Sequence, residues 1–298
     1  MAPDHGFDAV LVHYGRGGER ALELAGQLLA ASPAPGRVIL WDNSPDASGL
    51  GGLPLPPRVE LLSSANVGWG RAVNAALERV VAPVALLLNP DVTPESSAIA
   101  ACVAAVAGDP AVAVAVPTVR QRRGNAVPLY GVVAIGAAEV IGWRWSDRLF
   151  RPEGIAVTME AAAVSVVWHR RIGGFDPRFF MYNEDYDWCR RAVSAGARCV
   201  ALETAPCGHE GGASWDGAGP RLFWVFDSEA RYLVKWFGRA AIPVFIVRLA
   251  KGAVLVPALR IAAVLLRRER LRYLAVREGL RLGATARWLW AAVRQGSG

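Results

Sequence analysis

Cysteine is scarce in this sequence, and its spacing excludes two classes of small, cross-linked protein. The 298 residues include four cysteines, Cys102, Cys189, Cys199 and Cys207, and none of them forms a CxxC pair. This pattern argues against a disulfide framework and against a structural zinc site. The first six residues also lack the basic start and apolar stretch of a signal peptide. We therefore expect a protein of a reducing, cytosolic compartment.

Basic charge is missing from most of the chain and concentrated at its end. The formal net charge is +7, but residues 235–298 hold 13 Lys and Arg against two acids, and the preceding 234 residues carry a net charge of −4. That acidic part lacks bases interleaved with aromatic residues, which argues against a nucleic-acid-binding protein. The apolar fraction of 53% excludes a disordered chain. We predict a folded domain over residues 1–234 and a basic helical tail over 235–298.

Short apolar runs alternate with helical patterns in the first half of the chain. Strands are predicted at 7–13, 38–41, 59–62, 84–88 and 111–116, and helices at 19–31, 69–81 and after a cap formed by Thr93, Pro94 and Glu95. Such alternation predicts an α/β fold with a mostly parallel, Rossmann-like sheet flanked by helices. The pattern weakens over 121–152, where we expect an irregular excursion. A helix at 184–195 and a strand at 198–202 follow.

The tail combines apolar and basic residues. Its most apolar stretch, 242–266, is interrupted by Arg248, Lys251 and Arg260. A spanning helix needs about 20 mostly uncharged residues, so we do not predict a transmembrane segment. Arginines then alternate with Leu, Trp and Val as far as residue 287, which is typical of a helix lying in a membrane interface. The alternative is a set of helices packed on the main domain with a solvated basic face.

Two groups of acids are candidates for chemistry. Asp91 follows a predicted buried strand, so it lies at the carboxyl edge of the sheet, where ligands of such folds bind. A carboxylate there suits a divalent cation on a diphosphate, and a turn-forming Asp is the alternative. Glu184, Asp185 and Asp187 follow the aromatic run at 179–182. Partial burial against those rings would raise a carboxyl pKa and suit a general base, whereas the helix dipole alone would favour one of the three.

Two histidines and a glycine-spaced segment complete the candidates. His13 ends the first predicted strand and His209 precedes a glycine-rich stretch, and each is either a ligand contact or a structural histidine. The segment from Asn66 to Asn74 is a glycine-spaced entry into a helix, which fits a phosphate contact or two tight turns. It lacks the third glycine of the dinucleotide fingerprint. The glycines at 211–219 make closure of a loop over a ligand a further hypothesis.

Taken in order, these elements resemble family 2 glycosyltransferases of the GT-A fold, particularly the bacterial rhamnosyltransferase-like branch. The similar segments are Val12–Tyr14, Trp41–Ser44, Asn66–Asn74, Leu88–Asp91, Gly173–Asp176, Phe179–Asp187 and His209–Ser214. They cover about residues 7–215. The tail matches no element of the family.

The resemblance implies an inverting transfer of a sugar from a nucleotide diphosphate. It assigns the general base to Asp185, assistance to Glu184, and a divalent cation, Mg²⁺ or Mn²⁺, to Asp91 and His209. The implied nucleotide-sugar contacts are His13, Tyr14, Asp42, Asn43, Asn66, Gly68, Gly70, Asn74, Asn89 and Asp91. The implied acceptor side is formed by Trp168, Phe180, Tyr182 and Asp187. The chain departs from the family pattern where Asn89 replaces an acid of the metal motif and where the bulky Trp168 and His169 replace small residues.

The same resemblance implies dTDP-β-L-rhamnose as the sugar nucleotide and a lipid-linked or cell-surface glycan as the acceptor. Inversion would give an α-L-rhamnoside, made by an enzyme held on the inner face of a bacterial plasma membrane. A UDP-sugar, for hexosyl or galactofuranosyl transfer, is the nearest alternative. The alternatives of other classes are an inactive membrane-associated scaffold and a basic nucleic-acid-binding protein.

Overall fold

A computed structural model describes residues 6–121, 126–128, 130–131, 156–205, 207–209 and 218–294. The described chain divides into two units. The first contains the described residues up to 209, except Met181–Asn183. The second contains Met181–Asn183 and residues 218–294. Most of the predicted excursion at 121–152, and residues 211–217 of the predicted glycine loop, lie outside the described residues.

The strands of the first unit are β1 (Phe7–His13), β2 (Val38–Asp42), β3 (Val59–Ser63), β4 (Val84–Leu88), β5 (Val92–Thr93), β6 (Val112–Val116), β7 (Thr118–Gln121), β8 (Ala126–Pro128), β9 (Tyr130–Gly131), β10 (Ala156–Val157), β11 (Ala161–Ser165), β12 (Arg198–Ala201) and β13 (Cys207–His209). Its helices are α1 (Gly18–Ala30), α2 (Pro45–Ser48), α3 (Trp69–Leu77), α4 (Ser96–Gly108), α5 (Val166–Arg171) and α6 (Glu184–Ser194).

Seven strands form the central sheet, in the order β12-β6-β11-β4-β1-β2-β3. β1, β2, β3 and β4 run parallel, and β12 runs parallel to β6. Only β11 among these seven runs antiparallel to its neighbours, β4 and β6. The predicted mostly parallel α/β sheet is therefore confirmed. Because β11 is reversed, its first residue lies at the edge where the parallel strands end, and its last residue lies at the opposite, amino edge.

The apolar strands explain why this sheet forms. β1, β4 and β6 are buried along their whole length, as expected of strands covered on both faces. A smaller sheet, in the order β5-β13-β7-β8, adjoins the chain leaving β4. Its strand β5 contains Thr93, which pairs with Gly208. Thr93 is therefore not the cap predicted for α4. Glu95 caps that helix instead, because its side chain accepts a hydrogen bond from the amide of Ala98 at 3.0 Å.

The second unit consists of helices. They are α7 (Ala218–Phe237), a 3-10 turn at Gly238–Ala241, α8 (Ile242–Leu265) and α9 (Glu269–Arg294). Its core joins α7 residues such as Leu233 to Phe245 of α8 and Ala292 of α9. Because α7 packs with the later helices, the helical unit begins about 20 residues before the boundary predicted at 235.

One helical run of this unit is long and apolar enough to cross a membrane, judged by length and composition alone. The run covers Arg221–Leu265, and its most apolar window has a mean hydropathy of 1.9. The charges within the segment had argued against a spanning helix. One of them, Arg248, is buried in the unit against Glu229, with 2.5 Å between the guanidinium nitrogen and the carboxylate oxygen.

Candidate active site

The ends of β1 and β2 hold two buried polar side chains at the carboxyl edge of the sheet. His13 donates from Nε2 to the carbonyl oxygen of Gly15 at 2.9 Å. Asp42 accepts hydrogen bonds from the amide of Ser44 at 2.9 Å and from the hydroxyl of Ser48 at 2.5 Å. Both oxygens of Asp42 thus stabilise the turn into α2. A contact to a nucleotide base would come in addition to these local bonds.

The predicted glycine element lies beside this turn. Asn43 accepts a hydrogen bond from the indole of Trp41 at 3.1 Å and donates to the carbonyl oxygen of Gly68 at 3.4 Å. Asn66 accepts a hydrogen bond from the amide of Gly68 at 3.0 Å. The two asparagines therefore fix the loop that leads into α3. The positions of Asn43 and Asn66 in the sequence are therefore explained by the structure of this loop as well as by a ligand contact.

Gly68 allows the aromatic run to approach this loop closely. Its φ of +87° lies in the left-handed region, and a Cβ there would collide with the carbonyl oxygen of Phe180. That same carbonyl accepts a hydrogen bond from the amide of Trp69 at 3.2 Å. Only glycine satisfies both the conformation and the contact. The backbone at Phe180 is thereby held beside the start of α3, as expected if the two segments line one site.

Asn74 anchors the Gly-Gly-Phe turn on α3. Its side-chain amide donates to the carbonyl oxygen of Phe175 at 2.9 Å and accepts from the amide of the same residue at 2.8 Å. Gly70, one turn earlier, leaves room for the side chain of Phe175, which a Cβ would meet at 3.0 Å. Both residues were predicted as nucleotide-sugar contacts. These contacts give each of them a structural role, which explains why asparagine occupies position 74 and glycine occupies position 70.

The turn after β4 brings the predicted metal ligands together through backbone pairing. The amide of Val92 donates to the carbonyl oxygen of Asn89 at 3.1 Å, which closes the turn around Asp91. Asp91 is only 8% exposed. Val92, the next residue, pairs with His209 of β13. Asp91 and His209 therefore lie at neighbouring backbone positions at this edge of the sheet. Among the described residues, no cluster of three or more His, Cys, Asp and Glu has the arrangement of a complete metal site.

Glu184 and Asp185 begin α6 in surroundings that oppose their ionisation. Burial raises the pKa of Asp185 to about 7, the hydrogen bond from the Tyr186 amide opposes that rise, and the negative charge of Glu160 adds to it. The Tyr186 amide lies 2.8 Å from the Asp185 carboxylate. Burial and the charge of Asp185 raise the pKa of Glu184 well above its usual range. Within the described residues, Oε2 of Glu184 is buried without a hydrogen-bond partner.

Such a carboxylate can take a proton near neutral pH. A general base works best when its pKa lies close to the working pH. Asp185 meets that condition, and it lies at the start of a helix whose dipole stabilises the ionised form. The two residues before α6, Tyr182 and Asn183, both have positive φ values, +69° and +61°. Non-glycine residues in this conformation are uncommon and often occur at functional sites.

Glu160 is a further acid of the site that the sequence analysis did not identify. Its carbonyl oxygen accepts a hydrogen bond from the amide of Asn89 at 2.9 Å, so its backbone adjoins the turn that carries Asp91. Its carboxylate accepts a hydrogen bond from the Thr158 hydroxyl at 2.8 Å and acts electrostatically on Asp185. The only sequence signal was an acid just before the apolar run of β11. That signal becomes informative once the reversed direction of β11 is known.

Two residues predicted on the acceptor side lie elsewhere. Trp168 follows the carboxyl end of β11, which is at the amino edge of the sheet, and its indole donates to the carbonyl oxygen of Pro110 at 2.7 Å. Asp187 is fully buried and pairs with Arg191 at 2.9 Å. We therefore remove both from the acceptor side. Trp168 is excluded because the reversed strand β11 runs away from the site. Asp187 is excluded because its side chain is buried in the first unit.

His169, next to Trp168, is also structural. Its Nδ1 accepts a hydrogen bond from the indole of Trp188 at 3.2 Å, and it is 5% exposed. Burial, and then the positive charges of Arg191 and Arg170, lower the pKa of His169 to about 4. The imidazole is therefore neutral at physiological pH and forms part of the core behind the Gly-Gly-Phe turn.

Comparison with known proteins shows the fold and the proteins to which this chain is similar. No family model matches the chain. The chain is 28% identical over 211 residues to an N-acetylglucosaminyl-diphospho-decaprenol L-rhamnosyltransferase of Mycobacterium tuberculosis, covering 61% of this chain and 69% of that protein. A mannosyltransferase of Pyrobaculum calidifontis, solved with GDP-mannose and Mn²⁺, matches with a TM-score of 0.53 at 14% identity over 98% of this chain and 90% of its own. S. aureus TarS matches with a TM-score of 0.50 at 14% identity over 76% of this chain and 39% of its own.

The chain has the GT-A fold, and its sequence is similar to that of a rhamnosyltransferase. The predicted resemblance to the rhamnosyltransferase-like branch of family 2 is thereby confirmed. The alternatives of other classes, a nucleic-acid-binding protein and an inactive scaffold, have no counterpart among these matches. In this GT-A fold, the carboxyl edge described above is the candidate active site.

Proposed function

We propose that this chain is a glycosyltransferase that moves L-rhamnose from dTDP-β-L-rhamnose to a hydroxyl group of a lipid-linked glycan, with inversion at the anomeric carbon. The proposal rests on two groups at one edge of the sheet. One is the turn of Asp91, whose next residue, Val92, pairs with His209. The other is Asp185, the candidate general base. Glu160 links them, because its backbone binds the turn and its charge acts on Asp185. The similarity to a rhamnosyltransferase acting on a decaprenol-linked substrate supports the choice of sugar and acceptor.

In the proposed reaction, Asp185 accepts the proton of the acceptor hydroxyl as that oxygen attacks the anomeric carbon. The bond from this carbon to the phosphate oxygen breaks on the opposite face, and the nucleoside diphosphate leaves with the electron pair. Glu184, protonated because of its raised pKa, donates a hydrogen bond that orients a sugar hydroxyl. A divalent cation held by Asp91 and His209 would act as the Lewis acid that stabilises the departing diphosphate.

We further propose that the enzyme works at the inner face of the plasma membrane. A polyprenyl-linked acceptor would hold the reaction at the bilayer. The second unit supplies the basic charge and exposed apolar residues that suit such a surface. Exposed aliphatic and aromatic side chains occur on α8, on α9 and in the connection between them: Ile246, Val247, Val254, Ile261, Val264, Leu265, Leu266, Tyr273, Val276, Trp290 and Val293.

Thermal unfolding with dTDP, UDP or GDP, each with and without Mn²⁺, tests the nucleotide and the metal without requiring an acceptor. A ligand that binds only the folded state raises the melting temperature. We expect the largest rise with dTDP plus Mn²⁺ and its loss in Asp91→Asn. Asp109→Asn is the matched control, because Asp109 lies at the amino edge in an ion pair with Arg198. A preference for UDP would replace the sugar and keep the mechanism, whereas no response to any nucleotide would contradict the proposal.

A further inference from the structure

The connection between α8 and α9 exposes a compact group of apolar and basic side chains. Val264, Leu265 and Leu266 are 70%, 75% and 61% exposed. Arg267, Arg268 and Arg270 follow, and every residue from 264 to 270 is exposed. We call residues 264–270 the hairpin tip. Three consecutive aliphatic side chains in water form an apolar patch of the kind that marks an interaction site.

The helices beneath the hairpin tip are firmly packed. A Cβ on Gly252 of α8 would lie 2.7 Å from Cδ1 of Leu282 of α9, so the two helices approach closely. The buried ion pair of Arg248 with Glu229 joins α8 to α7. These contacts hold together the helices that carry the exposed aliphatic residues. The same ion pair opposes release of α8 as a spanning helix, because it would leave Glu229 buried without its cation.

We propose that the hairpin tip inserts into the interfacial region of an anionic lipid bilayer. This role rests on the proposed function in one respect: a lipid-linked acceptor would bring the enzyme to a membrane. Val264, Leu265 and Leu266 enter the boundary of the acyl chains, and the arginines bind headgroup phosphates. Charge favours this occupant over a second copy of the chain. Two facing tips would bring six arginines together, and Glu269 is already 2.8 Å from Arg272 of its own helix.

A fluorescent probe at the hairpin tip tests insertion directly. All four native cysteines are buried, so a Leu265→Cys variant can be labelled selectively with an environment-sensitive dye. Vesicles of phosphatidylcholine with about one third phosphatidylglycerol supply the anionic surface. We expect a blue shift and a rise in intensity of about twofold or more, because the dye leaves water. The matched control is Val81→Cys, since Val81 is 73% exposed on the first unit. An unchanged spectrum at Leu265 would overturn the proposal.

Vesicle cosedimentation gives the second measurement. Replacing Val264, Leu265 and Leu266 together by Ser is expected to lower partitioning about tenfold or more, since three apolar contacts are lost. The control Val81→Ser with Val167→Ser should bind like the wild type. Equal binding of the tip variant, or a concentration-dependent dimer that it abolishes, would overturn the proposal. The tip variant should keep the melting shift with dTDP and Mn²⁺, so failure of insertion and failure of the proposed function are observed separately.

Discussion

At the scale of single residues, the site depends on acids held where ionisation is unfavourable. Burial raises the pKa values of Asp185 and Glu184, and the negative charge of Glu160 adds to the rise at Asp185 as that of Asp185 does at Glu184. A group arranged for stability alone would have its pKa lowered by a partner cation. Buried acids with raised pKa values instead point to proton transfer. The first two predictions concern Asp185 and its neighbour Glu160.

Asp185→Asn is expected to stabilise the fold while removing activity. The unfolded carboxyl ionises near 3.8 and the folded one at about 7, so the folded state disfavours the charge above pH 7. One pKa unit corresponds to about 1.4 kcal/mol, and with a discount for partial exposure we expect a gain of about 2 kcal/mol in the free energy of unfolding at pH 8. The gain should vanish below about pH 3, where both states are protonated. Urea unfolding at the two pH values measures it.

The transfer rate of Asp185→Asn should fall by about a factor of 1,000, the usual contribution of a general base. A variant that is less stable at pH 8 and still active would contradict both the pKa and the assigned role.

Glu160→Gln is expected to shift the acidic limb of the pH–rate profile to lower pH. The substitution removes a negative charge that raises the pKa of Asp185 and keeps an acceptor for the Thr158 hydroxyl. The base is then deprotonated at lower pH, so activity at pH 6 relative to pH 8 should rise. The control is Glu60→Gln, an acid of β3 paired with Arg79. A loss of stability with an unchanged profile would show that Glu160 is only structural.

At this scale, the sequence was informative where an acid follows an apolar strand or an aromatic run, as with Asp91 and Asp185. It was silent on Glu160, because an acid before a strand is unremarkable until the direction of the strand is known. Trp168 was misplaced for the same reason. Whether a given strand runs with or against its neighbours depends on pairing, which apolar periodicity does not record.

At the scale of elements, α3 carries both sides of the site. Its start binds Phe180 through Trp69, and its end binds the Gly-Gly-Phe turn through Asn74. The Asp187–Arg191 pair secures the same turn from α6, because Arg191 donates to the carbonyl oxygens of Ile172 and Gly174 at 2.6 and 2.7 Å. Helix α3 is therefore a scaffold, and the spacing of Gly68, Gly70 and Asn74 is explained by these packing contacts.

Asn74→Ala is expected to destabilise the first unit by about 2–4 kcal/mol, because it leaves the amide and carbonyl of Phe175 without partners. Addition of dTDP and Mn²⁺ should still raise the melting temperature of this variant. Asn66→Ala is the comparison, since its side chain accepts one bond from Gly68. If Asn74→Ala lost nucleotide binding without losing stability, the residue would be a ligand contact, as the resemblance alone implied.

The helical unit gives a second prediction at this scale. Arg248→Met is expected to cost about 3–5 kcal/mol, because Glu229 stays buried without its cation. Adding Glu229→Gln should recover most of that loss in thermal unfolding. If Arg248→Met alone were as stable as the wild type, the buried ion pair would not hold α8 to α7.

The limits of sequence reasoning differ among elements. The central strands were predicted within a few residues, because continuous apolar runs identify buried strands. The cap of α4 was predicted at Thr93 and lies at Glu95, since pairing with β13 draws Thr93 into β5. Helix α3 ends at Leu77 rather than 81. Helix ends depend on contacts that local propensity does not contain.

At the scale of the whole molecule, the chain combines an acidic α/β unit with a basic helical unit. The charge asymmetry and the resemblance predicted that division. Helix α7 packs with α8 and α9 ahead of residue 235, and its charges are nearly balanced: Arg221, Arg231 and Lys235 against Asp227 and Glu229. Charge thus marks the tail without giving the extent of the helical unit.

The most direct test of the central proposal is transfer of radiolabelled rhamnose from dTDP-β-L-rhamnose to the lipid fraction of a bacterial membrane extract. We predict that the wild type moves label into lipid only when Mg²⁺ or Mn²⁺ is present, and that NMR of the product shows an α-L-rhamnoside. Asp185→Asn and Asp91→Asn should transfer almost none, while Asp109→Asn should match the wild type. Transfer by Asp185→Asn at the wild-type rate, or a β-linked product, would contradict the mechanism proposed here.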